Sequence, residues 1–195
     1  MAAATDRELI ERAMGGDADA FGWLVRRHQR RIYRLAAHLT GSSAEAEDVM
    51  QEAFVRAYQA LDRFDGRSEP FTWIYRIAVN LSLNRLRARK TRGVVHADDD
   101  PRVASLLVET RPSLAVEPDV STDRRRTAAA LVEAIDTLSD TLRTTLVLVA
   151  IDGLSHEEAS AVLGCPAGTV AWRIHEARRK LRAALAARGL GDDLA

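Results

Sequence analysis

The sequence predicts an all-α chain, two small helical domains joined by a flexible linker, and three observations carry that expectation. Aromatic residues are only 5% of the 195, while Ala and Leu are abundant, a composition that suits helices better than sheets. Apolar residues recur at helical spacing in one segment after another. A stretch without any period, acidic and punctuated by proline, separates residues 1–92 from residues 124–195.

The elements follow in order. Asp6 to Met14 reads as a short amphipathic helix ended by Gly15 and Gly16. Asp17 or Asp19 can start the next, which runs to about Thr40. Its apolar positions are Phe21, Leu24, Val25, Ile32, Leu35 and Leu39, and Arg26, Arg27, Arg30, Arg31 and Arg34 make a basic outer face. Gly41 breaks the pattern, and Ser42 with Glu45 has the capping-box spacing. The following helix, about Ala44 to Leu61, is expected to bury Val49, Ala53, Ala57 and Leu61. Glu45, Glu47, Asp48 and Glu52 crowd its first turns, where the helix dipole favours negative charge. An exposed set of Asp48, Gln51, Glu52 and Phe54 also suits a protein partner with basic side chains.

Phe64 to Pro70 reads as a loop, containing Arg67 and Ser68, and Ser68 with Pro70 can start a helix reaching about Lys90. Ile74, Ile77, Ala78 and Leu81 supply its buried side. Trp73, Arg76, Asn80, Asn84 and Arg87 fall on one stripe of aromatic, basic and amide groups. Aromatic faces stack on unpaired bases, Asn reads base edges and Arg holds phosphates, so the stripe has the parts of a single-strand binding surface. A Trp packed in the core beside incidental amides accounts for the same residues. From Thr91 to about Asp123 the pattern collapses: Asp98, Asp99 and Asp100 precede Pro101, and Pro112 and Pro118 follow. Residues 93–123 are therefore read as an acidic flexible linker. Fully extended, its roughly 30 residues span ~100 Å.

In the second domain, Leu131, Ile135 and Leu138 form a helix ended by Ser139 and Asp140, and a second helix runs from Thr141 to Ile151. Asp152 and Gly153 then lead into a helix-turn-helix. Ser155 and Glu158 have capping-box spacing, Gly164 suits a left-handed helix end, and Pro166 suits the first turn of the next helix. Val170, Ile174, Ala177 and Leu181 make one apolar stripe on that second helix. Thr169, Trp172, His175 and Glu176 occupy the opposite face, flanked by Arg173, Arg178, Arg179, Lys180 and Arg182. Such a helix either lies in the major groove of DNA or is an amphipathic helix with a solvated basic end; the capped partner helix and glycine turn favour DNA. Beyond Ala187 the tail is expected to fray.

The charge pattern fits nucleic acid despite a neutral total of 28 basic and 28 acidic side chains. Arg67 to Arg92 is basic, with Glu69 its one acid, and Asp98 to Asp123 is acidic. Cys165 alone excludes an internal disulfide, and its place in the turn favours a structural role. His156-Glu157-Glu158-Ala159-Ser160 begins like a zinc-protease helix, but Ser160 stands where the second His is required. No glycine-rich phosphate loop, nucleophile elbow or paired cysteines accompany it, so no enzyme, cofactor, metal or small-molecule substrate is expected. With no long apolar segment, a cytoplasmic chain without membrane insertion is expected.

Glu45 to Tyr58, Phe71 to Asn80 and Gly168-Thr169-Val170 resemble, in order and spacing, the motifs of the extracytoplasmic-function sigma factors of bacterial RNA polymerase. The resemblance covers nearly the whole chain outside the linker. It implies a sigma region 2 domain over 1–92 and a region 4 domain over 124–195. Asp48, Gln51, Glu52 and Phe54 match the surface that docks on core polymerase. The loop from Phe64 to Phe71, with Arg67, Ser68, Phe71 and Trp73, and the stripe Arg76, Asn80, Asn84 and Arg87 match the elements that open and read the −10 promoter element. Gly168, Thr169, Ala171, Trp172, Arg173, His175, Glu176 and Arg179 match the reader of the −35 duplex. Core RNA polymerase, promoter DNA and an anti-sigma factor are the partners the resemblance implies. Where relatives often carry Arg or Ser, this chain has Ala171, Trp172, His175 and Glu176, which implies a different base preference. A stand-alone duplex-binding regulator and a protein adaptor remain the alternatives, although the sequence has no sensor domain and no heptad seam.

Overall fold

Thr5 opens the first helix with a reciprocal cap: its hydroxyl accepts from the Glu8 N–H at 3.3 Å, and its own N–H donates to the Glu8 carboxylate at 2.7 Å. This cap begins the computed structural model of the chain, which describes residues 4–91 and 130–190 and, among them, only helices and turns. The stretch read as a linker, 93–123, lies outside the described residues. The chain divides into two compact units, one built on the N-terminal helices and one on the C-terminal helices.

The first unit comprises α1 (Asp6–Met14), α2 (Ala18–Thr40), α3 (Ser43–Gln59), a 3₁₀ turn (Leu61–Arg63) and α4 (Pro70–Thr91). Asp17 caps α2 by accepting from the Ala20 N–H at 3.1 Å, and Gly41 ends it in the left-handed conformation at φ 72°. Ser42 starts α3 with only half of the expected capping box. Its hydroxyl accepts from the Glu45 N–H at 3.4 Å. The Ser42 N–H, however, donates to Thr40 Oγ1 at 3.4 Å, and the Glu45 carboxylate reaches Arg89 at 3.8 Å. A charged partner on α4 has taken the place of the local one.

α2 packs on α1, α3 and α4, and α3 packs on α4. Leu24, Ile32, Leu35, Leu39, Val49, Ala53, Ala57, Ile74 and Ala78 fill the space between them. α4 buries more of its circumference than its stripe predicts, because it meets α1 as well as α2 and α3. Tyr75, Val79, Ser82 and Leu86 are buried beside Ile74, Ala78 and Leu81, while Ile77 is only half-buried. The Ser82 hydroxyl is satisfied there by donating to the Ala78 carbonyl at 2.9 Å.

The C-terminal helices are α5, described over 130–136, then α6 (Asp140–Leu146) continuing into a π-helical turn (Val147–Ile151), α7 (His156–Leu163) and α8 (Ala167–Ala186). The expected single helix from Thr141 to Ile151 begins one residue earlier and changes its winding midway. Thr144 and Thr145 donate their hydroxyls back to the carbonyls of Asp140 (2.6 Å) and Thr141 (2.8 Å), a pattern that loosens a helix just ahead of the wide turn. Ala134, Leu138, Leu142 and Leu146 pack with Ile174, Ala177 and Leu181 into one core. Of the tail expected to fray, residues 188–190 are held by hydrogen bonds, and 191–195 lie outside the described residues. Arg188 donates to the Ala130 carbonyl at 3.2 Å and pairs with Glu133 at 2.8 Å, and the Leu190 N–H donates to the Leu185 carbonyl at 3.0 Å.

Candidate nucleic-acid interface

The helix-turn-helix forms as its residues dictate. Ser155 and Glu158 exchange both capping bonds, at 3.1 and 2.8 Å, and Gly164 closes α7 at φ 64°. Pro166 stands one residue before α8, at φ −57° and ψ 146°, and its carbonyl accepts from Thr169 at 2.9 Å and Val170 at 3.2 Å. The turn is braced by Ser160 Oγ donating to the Cys165 carbonyl at 2.7 Å. The half-buried Cys165 thiol in turn accepts from Arg173 Nη1 at 3.5 Å, a structural use of that side chain.

Val170, Ile174, Ala177 and Leu181 of α8 are buried, and the opposite face is open. Gly168, Ala171, Trp172, His175 and Arg179 are exposed; Thr169, Arg173 and Glu176 are half-buried. Arg179 clasps Glu176 with two bonds of 2.8 and 2.7 Å, and Lys180 lies 4.0 Å from the same carboxylate. The hydrogen bonds from Arg179 hold the Glu176 carboxyl below its ordinary pKa, with the charges of Arg179, Lys180 and His175 acting in the same direction. The Arg179 guanidinium is raised by the same contact.

On α4 the exposed stripe is Arg76, Asn80, Asn84 and Arg87, and Arg87 Nη1 donates to Asn84 Oδ1 at 3.3 Å. Arg67, in the preceding loop, is exposed and pairs with Asp65 at 3.3 Å, while Ser68 is half-buried. The two aromatic members are engaged in packing. Trp73 is half-buried with its ring centroid 5.1 Å from Phe64. Phe71 is half-buried among His28 and Tyr75, each at 4.8 Å between centroids, with the Arg31 guanidinium 4.4 Å over its ring. These contacts anchor both ends of the loop from Phe64 to Phe71. They also give Arg31, expected on a solvated face, a cation–π partner.

On α3, Asp48 and Gln51 are exposed and Glu52 is half-buried. Phe54 is not exposed as expected. Only 6% of its surface is accessible, because it shares the buried arc of Ala53 and Ala57 and meets Phe21 edge-on at 6.4 Å. The apolar groups that α3 does expose are Val55 at 54% and Tyr58 at 49%. Val55 lies four residues beyond Gln51 and three beyond Glu52, so helical spacing from the acidic set leads to it. Arg85 of α4 bonds both acids, Asp48 at 3.2 Å and Glu52 at 3.3 Å, and Arg89 reaches the Thr40 carbonyl at 3.0 Å. The sequence reading missed these ties because they connect residues more than thirty positions apart.

Among the described residues no cluster of His, Cys, Asp or Glu could hold a metal ion, and no helix is long and apolar enough to cross a membrane. Residues 24–92 match the family model Sigma-70 region 2, and residues 128–181 match Sigma-70, region 4. The chain is 39% identical over 184 residues to the RNA polymerase sigma-H factor of Pseudomonas aeruginosa, a match spanning 92% of this chain and 93% of that one. It is 37% identical over 183 residues to the ECF RNA polymerase sigma-E factor of Escherichia coli, spanning 91% of this chain and 92% of that one. Its fold is similar to that of CnrH, solved in complex with the cytosolic domain of CnrY, at TM-score 0.68 and 31% identity over 93% of this chain and 97% of that one. With helix-turn-helix, stripe and acidic face in place, and these matches over nearly all its length, the chain belongs to the extracytoplasmic-function (ECF) sigma factors of RNA polymerase.

Proposed function

We propose that this sigma factor directs core RNA polymerase to the promoters of one regulon by reading two elements and helping to open one of them. Residues 1–92 act as the polymerase-binding and −10-reading domain, 93–123 as the linker, and 124–195 as the −35-reading domain. Asp48, Gln51 and Glu52 present the docking face for core polymerase, with Val55 and Tyr58 as its apolar part in place of Phe54. Arg76, Asn80, Asn84 and Arg87 hold the opened −10 strand, the amides at base edges and the guanidinium groups at phosphates. Stacking and pocket contacts worth about 1–3 kcal/mol per base offset an unstacking cost of a few kcal/mol. The exposed face of α8 reads the −35 duplex in the major groove.

The observation that supports this reading is the exposed stripe of α4, in which the amides Asn80 and Asn84 sit between the guanidinium groups of Arg76 and Arg87. The chemistry of transcription belongs to the polymerase; the sigma factor supplies recognition and no catalytic residue. It acts in the cytoplasm, where its template and polymerase are. CnrH forms a complex with the cytosolic domain of CnrY. By analogy an anti-sigma factor holds this chain inactive by covering its docking and DNA-reading faces. Run-off transcription with core polymerase over a genomic promoter library tests the proposal. Start sites sharing two upstream elements are expected, and a library yielding no transcript dependent on this factor would sink it.

A further inference from the structure

We infer that Trp172 is a specificity-determining residue, packing its indole against the C5-methyl group of a thymine in the −35 duplex. The inference rests on the proposed −35 reading by α8 and names the base that reading selects. Trp172 lies two residues from both Val170 and Ile174, which are buried, and so faces directly away from the core of its unit. At 62% it is the most accessible of the large apolar side chains exposed in the described residues, ahead of Trp23, Val55, Tyr58 and Met14.

The charged groups around it have other uses. Both Glu176 oxygens are taken by Arg179, and Arg173 leans on the Cys165 thiol. Arg178, Lys180 and Arg182 line the flanks and the far end of the helix, where they complement phosphates. An apolar ring is thus left at the centre of a face whose rim is positive. In the major groove the apolar feature of a base edge is the thymine methyl group; the other edges present hydrogen-bonding atoms. One turn earlier on the same face, Gly168 leaves open space where a Cβ would stand, so the helix can come close to the duplex there.

The test uses holoenzyme and a −35 duplex mapped on one of its own promoters. Each thymine is replaced singly by deoxyuridine, which removes the methyl group and nothing else. One replacement is expected to lower occupancy about 3–5-fold, the size of one buried methyl-sized group. Trp172→Ala holoenzyme should bind the thymine duplex correspondingly less well and show no further loss with uracil. Trp172→Leu, which keeps an apolar contact, should retain part of the uracil penalty. If every replacement is neutral while scrambling the −35 element abolishes occupancy, the thymine contact is refuted and −35 reading stands. An unchanged uracil penalty in Trp172→Ala refutes it equally. If scrambling has no effect, −35 reading by α8 fails, and the inference with it.

Discussion

Glu176 has a carboxylate suited to accept from cytosine N4, yet Arg179 occupies both of its oxygens, at 2.8 and 2.7 Å. We expect the pair to orient Arg179 and to leave base choice to its neighbours. Its folded pKa is lowered, so its small contribution to stability is present above the unfolded pKa and is lost as pH falls through the lower folded one. Binding should be insensitive to Glu176 titration at neutral pH. Glu176→Gln should raise affinity evenly across promoter sequences and steepen the salt dependence, because a negative charge leaves and Arg179 is freed for phosphate. Equilibrium binding to a set of single-base −35 variants checks this; a changed preference at one base pair would restore Glu176 as a reader. Gly168 makes a second residue-scale case. Its backbone does not need glycine and a Cβ there would touch nothing. Gly168→Ala should stabilise α8 by roughly 0.5–1 kcal/mol while weakening −35 binding, as thermal melting and holoenzyme occupancy would report. A gain in both would mean that no close approach occurs there.

At the level of elements, the helix-turn-helix was legible almost residue by residue, since caps, left-handed glycine and apolar stripe are local requirements met within a few positions. The α3–α4 pair was legible only in part. Arg85 and Arg89 bind Asp48, Glu52 and Glu45 across the helix pair. Sequence spacing within one helix carries no sign of such a ladder. Arg85 remains 32% accessible and its partners more so, which keeps the stabilisation small and screened by salt. Arg85→Ala should cost less than about 1 kcal/mol in stability, shrinking as salt rises, while leaving Asp48 and Glu52 less fixed toward polymerase. Chemical denaturation at two salt concentrations, beside a core-binding titration, separates the two effects. A loss of several kcal/mol would show that the ladder holds the fold.

For the whole molecule, the two compact units and the separate reading surface proposed for each predict separable energetics. Asn80→Ala should weaken −10 recognition with little effect at −35, and Trp172→Ala the reverse. Their combined loss in holoenzyme occupancy should add to within about 0.5 kcal/mol, as distant and independent sites do. A larger coupling in the double-mutant cycle would mean that the two surfaces communicate.

The sequence by itself determined the all-helical class, the helix-turn-helix and, among the described residues, most helix boundaries to within a residue or two. Period, caps and breakers are encoded locally, so they can be read without the fold. Only the tertiary structure decided which members of each stripe are buried, paired or exposed. Phe54 went into the core beside Phe21, Phe71 and Trp73 pack against other aromatic rings, and Glu176 accepts from Arg179. Trp172 was left outside. Burial and pairing depend on which other helices arrive at a face, and that is settled by contacts between distant parts of the chain.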